Sequence, residues 1–213
     1  MVPARLPPTA TFISGEGVVL RTLPYSDADI IARIFSPELG KIACIVKGGR
    51  SGKKTFGAPL DLFDVVRMKL REPAQGGLWK LAESVPQRSF VRLRENLDVL
   101  SLSALLAETL DHLTIEDNAE SSELYHAVLS ALTQLNDGGE LKDLLRTTTE
   151  TMVAFLELTG HLDKRTVGAP SPKTLRYLIS ATERVSERRS ETKGSIEELL
   201  RRLAEEHTVR TID

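Results

Sequence analysis

The sequence predicts an α+β chain of two parts, a small five-stranded β-barrel followed by an all-helical domain. Three observations carry this. Up to about residue 88, short runs alternate apolar and polar residues at period two, the mark of half-buried strands. Beyond that point apolar residues recur at three- and four-residue spacing, the mark of amphipathic helices. The charge divides at nearly the same place. Residues 1–80 hold 12 Lys and Arg against 7 Asp and Glu, a net of +5; residues 81–213 hold 16 against 23, a net of −7, within a total of −2. A basic part joined to an acidic one suggests two modules with different partners, with boundaries at 1–88 and 89–213.

The strands are read in order. Residues 17–21 form the first. Residues 29–35 form the second, with Ile30, Ala32 and Ile34 on one face. Residues 41–47 form the third, with Ile42, Cys44 and Val46 facing one way and Lys41, Ala43, Ile45 and Lys47 the other. Residues 64–71 give the clearest alternation: Val66, Met68 and Leu70 inward, Arg67, Lys69 and Arg71 outward. Residues 78–83 form the fifth. Pro- and Gly-rich stretches at 24–27, 37–40, 48–57 and 73–77 separate them. Five short strands in about eighty residues favour closure, because a closed sheet has no exposed edge. A barrel of the oligonucleotide-binding type (OB-fold) is the natural candidate.

The helices follow. Leu93, Leu97, Leu100, Ala104 and Ala107 form one stripe, widened by Leu106, Leu110 and Leu113, so a long buried helix is expected there. Ser121 or Ser122 caps the next, whose inner face carries Leu124, Val128 and Leu132. A third runs from about 140 to 158 and stops at Gly160, in the position where a left-handed residue ends a helix. Residues 171–185 and 195–206 read as two more, joined by a polar stretch at 186–193.

Composition excludes several classes. With 41% hydrophobic and 27% charged residues the 213-residue chain reads as soluble and globular, and 5% aromatics imply an aliphatic core. No run of eighteen apolar residues occurs, so no membrane-spanning helix is expected. The opening residues lack an apolar core segment, and no leader is expected. Cys44 is the only cysteine, which excludes an internal disulfide and a multi-cysteine zinc cluster, and makes a reducing cytoplasm the default.

Motif by motif, chemistry is scarce. Residues 48–55 (GGRSGKKT) invite a phosphate-loop reading. Yet only three residues separate Gly48 from Gly52, Lys54 stands where Ser or Thr would hold magnesium, and no helix follows. His112, His126, His161 and His207 stand singly, without metal-ligand spacing. Cys44 falls on the apolar side of its strand and reads as an inert buried thiol. The pairs Glu197–Glu198 and Glu205–Glu206 are solvated helix-surface charges. Trp79 could stack on a base, but alternation turns it away from Lys80 and favours packing. What remains is basic clustering. Residues 41–54 hold Lys41, Lys47, Arg50, Lys53 and Lys54 and no acid, and these are the first candidates for phosphate contact. Arg67, Lys69 and Lys80 form a second tier, and Arg21 and Arg33 complete the set.

Several segments carry a resemblance. Residues 15–29 (GEGVVLRTLPYSDAD), 35–41 (FSPELGK), 46–50 (VKGGR), 56–63 (FGAPLDLF) and 78–84 (LWKLAES) resemble, in order and spacing, motifs of the RecO family of bacterial recombination mediators. The long helix after Leu93 and the helix ending in LTGHL (158–162) resemble that family's helical domain. Many members carry four cysteines for zinc just after the corresponding Gly; residues 163–172 have none, so the resemblance is to a member lacking the insertion, with no metal and no cofactor. The family's helix that helps hold the acidic, Phe-ended tail of single-stranded DNA-binding protein has no clear counterpart. Residues 146–152 read RTTTETM, and no residue is carried over for that contact.

The resemblance implies a non-catalytic DNA-repair protein of the cytoplasm, associated with the nucleoid. It would bind single- and double-stranded DNA, anneal complementary strands and assist RecA loading. RecR and the C-terminal tail of single-stranded DNA-binding protein would be its partners, and no membrane is involved. The alternative is an interaction adaptor whose basic barrel binds an acidic peptide rather than DNA.

Overall fold

The computed structural model describes residues 11–50, 60–73, 77–116 and 122–160. The expected helices at 171–185 and 195–206, the linker between them, His161, His207, and the loop cations Lys53 and Lys54 lie outside the described residues. The chain divides into two compact units, Met1–Ser36 with Ile42–Arg88, and Pro37–Lys41 with Ser89–Asp213.

The first unit is built on five strands: β1 (Phe12–Pro24), β2 (Ile30–Ser36), β3 (Gly40–Val46), β4 (Val65–Arg71) and β5 (Trp79–Arg88). They follow the order β1-β2-β3-β5-β4 and close as a barrel, because β4 pairs back onto β1. β1 and β5 are both longer than alternation predicts. The first half of β1 pairs antiparallel with β4, from Phe12–Arg71 to Val18–Val65, and its second half pairs with β2. A register shift between Val19 and Arg21 bends it from one neighbour to the other. Ser14, Gly15 and Gly17 hide this strand from a propensity reading.

Gly17 is needed where it stands. A Cβ there would lie 2.5 Å from Ile34 Cγ2 and 2.9 Å from the Phe35 carbonyl oxygen. The inward positions are as expected: Ala32, Ile34, Cys44 and Leu70 are fully buried. β3 differs. It is buried along its whole length, including the expected outward positions Ala43 and Ile45. Phe63 is buried and adopts a left-handed conformation (φ 69°). Its N–H donates to the Val19 carbonyl at 2.8 Å, and Val19 N–H donates to the Asp64 carbonyl at 3.0 Å.

The second unit holds α1 (Arg92–Glu95), α2 (Leu97–Leu113), α3 (Ser122–Asp137) and α4 (Leu141–Leu158). The single long helix expected from Leu93 onward is divided at Asn96. That residue is extended, and its Oδ1 accepts hydrogen bonds from the N–H groups of Asp98 and Val99. An N-cap side chain satisfies donors that a helix start leaves open, so a new helix begins here. The apolar stripe shifts accordingly. Leu97 is 51% exposed, while Val99, Leu102, Leu106 and Leu110 are buried. α3 packs against α4; Leu124, Val128 and Leu132 of the one and Leu144, Leu145, Met152 and Phe155 of the other are buried. Gly160 closes α4 at φ 73°. Among the described residues no helix is long and apolar enough to cross a membrane.

Candidate nucleic-acid interface

Among the described residues the expected cations have different surroundings. Lys41 is 8% exposed. Its Nζ donates to the carbonyl oxygens of Asp111 and Thr114, both at 2.6 Å, and lies 3.3 Å from Asp111 Oδ1. Those carbonyls end α2, where the helix presents unpaired acceptors and partial negative charge. An ammonium is the natural partner there. Lys41 thus directs its charge into a buried pair, and little of it reaches solvent.

Lys47 and Arg50 lie in the turn that leaves β3. Lys47 Nζ donates to Asp29 Oδ2 at 2.7 Å, and the Gly48 N–H donates to Asp29 Oδ1 at 2.9 Å. Arg50 donates through Nη1 to the Ser26 carbonyl at 3.1 Å and through its backbone N–H to the Ala28 carbonyl at 2.9 Å. These bonds join the β1–β2 turn to the β3 exit. The Lys47 ammonium, and then the Gly48 amide, hold the Asp29 carboxyl below its ordinary value. Lys47 keeps 63% of its side chain exposed, so it can still meet solvent anions. Arg21 and Arg33 stand opposite one another across β1 and β2, Arg21 exposed and Arg33 half-buried.

Among the described residues, the most open basic surface is the outer face of β1, β4 and β5. Register and alternation lay out three rows there. Phe12, Arg71 and Lys80 make the first; Ser14, Lys69 and Glu83 the second; Glu16, Arg67 and Val85 the third. Residue 82 is the extra one where the β4–β5 register shifts, which keeps Lys80 and Glu83 on the same side. Arg67, Arg71 and Lys80 are exposed. Lys69 Nζ is 3.3 Å from Glu83 Oε1 and lies 5.2 Å above the centre of the Phe12 ring. Four cations and two carboxylates leave this face positive.

Sequence reasoning placed Arg67, Lys69 and Lys80 here but omitted Arg71 and Phe12. Arg71 continues the Arg67–Lys69 alternation, so its signal was present. Phe12 gave none, because its segment does not read as a strand. Trp79 is half-buried and partners Cys44 where β3 and β5 meet. Cys44 is fully buried, and burial pushes its thiol up to about 12.

Comparison with known proteins adds the context. Residues 11–90, the whole barrel, match the family model described as recombination protein O N terminal. The DNA repair protein RecO of Syntrophus aciditrophicus (strain SB) is 30% identical over 146 residues, 68% of this chain and 55% of that protein. The chain belongs to the RecO family. RecO of Desulfatibacillum aliphaticivorans is 30% identical over 156 residues, 73% of this chain and 58% of its own. RecO of Rhodopirellula baltica is 29% identical over 176 residues, 81% and 59%. This RecO-family chain thus spans a little over half the length of these relatives. The RecO N-terminal match ends at residue 90, so the face of β1, β4 and β5 lies wholly within it.

Proposed function

We propose that this chain is a non-catalytic DNA-binding protein of recombinational repair. It binds single- and double-stranded DNA through the barrel, anneals complementary strands and assists RecA loading, with RecR and single-stranded DNA-binding protein as partners. The exposed positive face with Arg67, Lys69, Arg71 and Lys80 carries this reading, and membership of the RecO family supports it. Cations on a rigid sheet neutralise phosphates and release counterions, which gives affinity without sequence preference. Charge neutralisation also lowers the repulsion between two strands, which favours annealing. Lys47 and Arg50 at the β3 exit, Arg21 and Arg33 on β1–β2, and the loop residues Lys53 and Lys54 are the further phosphate contacts proposed.

Anisotropy titration of labelled single-stranded DNA at several salt concentrations tests the reading. The logarithm of affinity should fall linearly with the logarithm of salt. Four phosphate contacts give a slope of about −3 at roughly 0.7 per contact. Absence of binding at low salt would refute DNA recognition by this chain.

A further inference from the structure

We propose that Phe12, Arg71 and Lys80 form a single-strand subsite, in which one phosphate lies between the two cations and an unpaired base stacks on Phe12. This deepens, and rests on, the DNA-binding reading above. Its basis is the composition of the row. Arg71 and Lys80 are register partners on adjacent strands, with Phe12 partnering Arg71 from the other side. The other two rows each contain a carboxylate, Glu83 beside Lys69 and Glu16 beside Arg67. The first row contains none. Like charges directly opposite on a sheet destabilise it. Neither Arg71 nor Lys80 forms an ion pair among the described residues, so the excess charge faces solvent. A doubly contacted phosphate oxygen would compensate it.

Phe12 gives the row its second chemistry. It is 48% exposed on a basic face, with the Lys69 ammonium over its ring. An exposed aromatic beside cations is the arrangement by which single-strand binders hold bases. Bases inside a duplex are already stacked on one another, so only an unpaired base can use the ring. Part of the usual alternative surface is buried. Barrels of this type commonly bind over strands two and three, but Ala43 and Ile45 of β3 are 7% and 9% exposed.

The test compares the full chain with Phe12→Leu and with the double variant Arg71→Gln/Lys80→Gln. Three labelled probes are titrated: an oligothymidine, an abasic strand of the same length and a hairpin duplex. Phe12→Leu should weaken oligothymidine binding roughly 5- to 150-fold, the range of one base stack. It should leave the abasic strand and the duplex unchanged. The double variant should weaken all three and reduce the single-strand salt slope by about 0.7, the share of the one phosphate they contact. Thermal melts matching the wild type establish that both variants fold, as exposed positions should allow. If the wild type binds and Phe12→Leu is indistinguishable from it on oligothymidine, the subsite is wrong while DNA binding stands. Equal loss on the abasic strand overturns the stacking role. If the wild type binds none of the probes, the DNA reading itself fails.

Discussion

Lys41 carries its charge into the protein rather than out of it. With both side chains 9% exposed, removing the ammonium takes a buried countercharge from Asp111 and a donor from two helix-end carbonyls. Breaking a buried pair in this way costs about 3–5 kcal/mol. Lys41→Met should therefore lower the denaturation midpoint strongly and leave the salt slope of DNA binding unchanged. A shallower slope with normal stability would return Lys41 to the phosphate contacts. Nothing in the sequence separates this lysine from its basic neighbours, because the carbonyls it meets lie about seventy residues away. Asp29 makes the complementary point about pH. Its carboxyl is held low in the folded state by Lys47 and Gly48. A depressed carboxylate stabilises the fold above its unfolded value of about 3.9, and that contribution is lost as pH falls through the folded value. The melting-temperature difference between the wild type and Asp29→Asn should thus hold steady from near neutral pH down to about 5 and shrink below about 4. A difference that persists unchanged at pH about 2 would show that Asp29 acts by shape and not by charge.

Among the elements, β1 is the one that alternation describes least well. Its Ser and Gly residues mask a thirteen-residue strand that serves two neighbours. Gly17 allows that double service by letting the backbone approach Ile34 and Phe35. Gly17→Ala should destabilise the barrel by about 1–3 kcal/mol, the usual cost of overpacking. Urea denaturation would measure it, and an unchanged midpoint would mean that β1 shifts freely at this point. β4 was the easiest strand to read, since Arg67, Lys69 and Arg71 alternate strictly with Val66, Met68 and Leu70. The first helix after the barrel was misjudged because Leu93, Leu97 and Leu100 fit one stripe. The spacing carries no mark of the Asn96 cap, and a polar residue at that point fits a helix surface equally well. Residue identities showed that β4 bears cations outward. They did not show that Lys80 meets Arg71, because that partnership depends on the register shift in β5.

For the whole molecule, the net charge of −2 says little about recognition. What matters is where charge of one sign is left uncompensated on a rigid surface, and the division between +5 and −7 already pointed to the barrel. The five-stranded architecture was legible because each strand carries its own pattern. The parallel β3–β5 contact was not, since β4 lies between those two strands in the chain. β3 and β5 meet in parallel over Cys44–Trp79 and Ile45–Lys80, whereas β1 and β4 stay paired from Phe12–Arg71 to Val18–Val65. The β3–β5 seam is thus shorter than the pairings of β1 with β2 and of β4 with β1 and β5. Parallel pairing is slightly weaker per residue, and the β3–β5 seam joins fewer residues than β1–β4. The seam should open before the β1–β4 pairing does. In native-state hydrogen exchange, amides bonded across it should exchange through smaller openings than those between β1 and β4, and equal protection would argue against this. Lys80 belongs both to this seam and to the row with Arg71 and Phe12. A strand seated there would hold β5 against its neighbours, so nucleic acid would act as a clasp on the cylinder and slow its breathing.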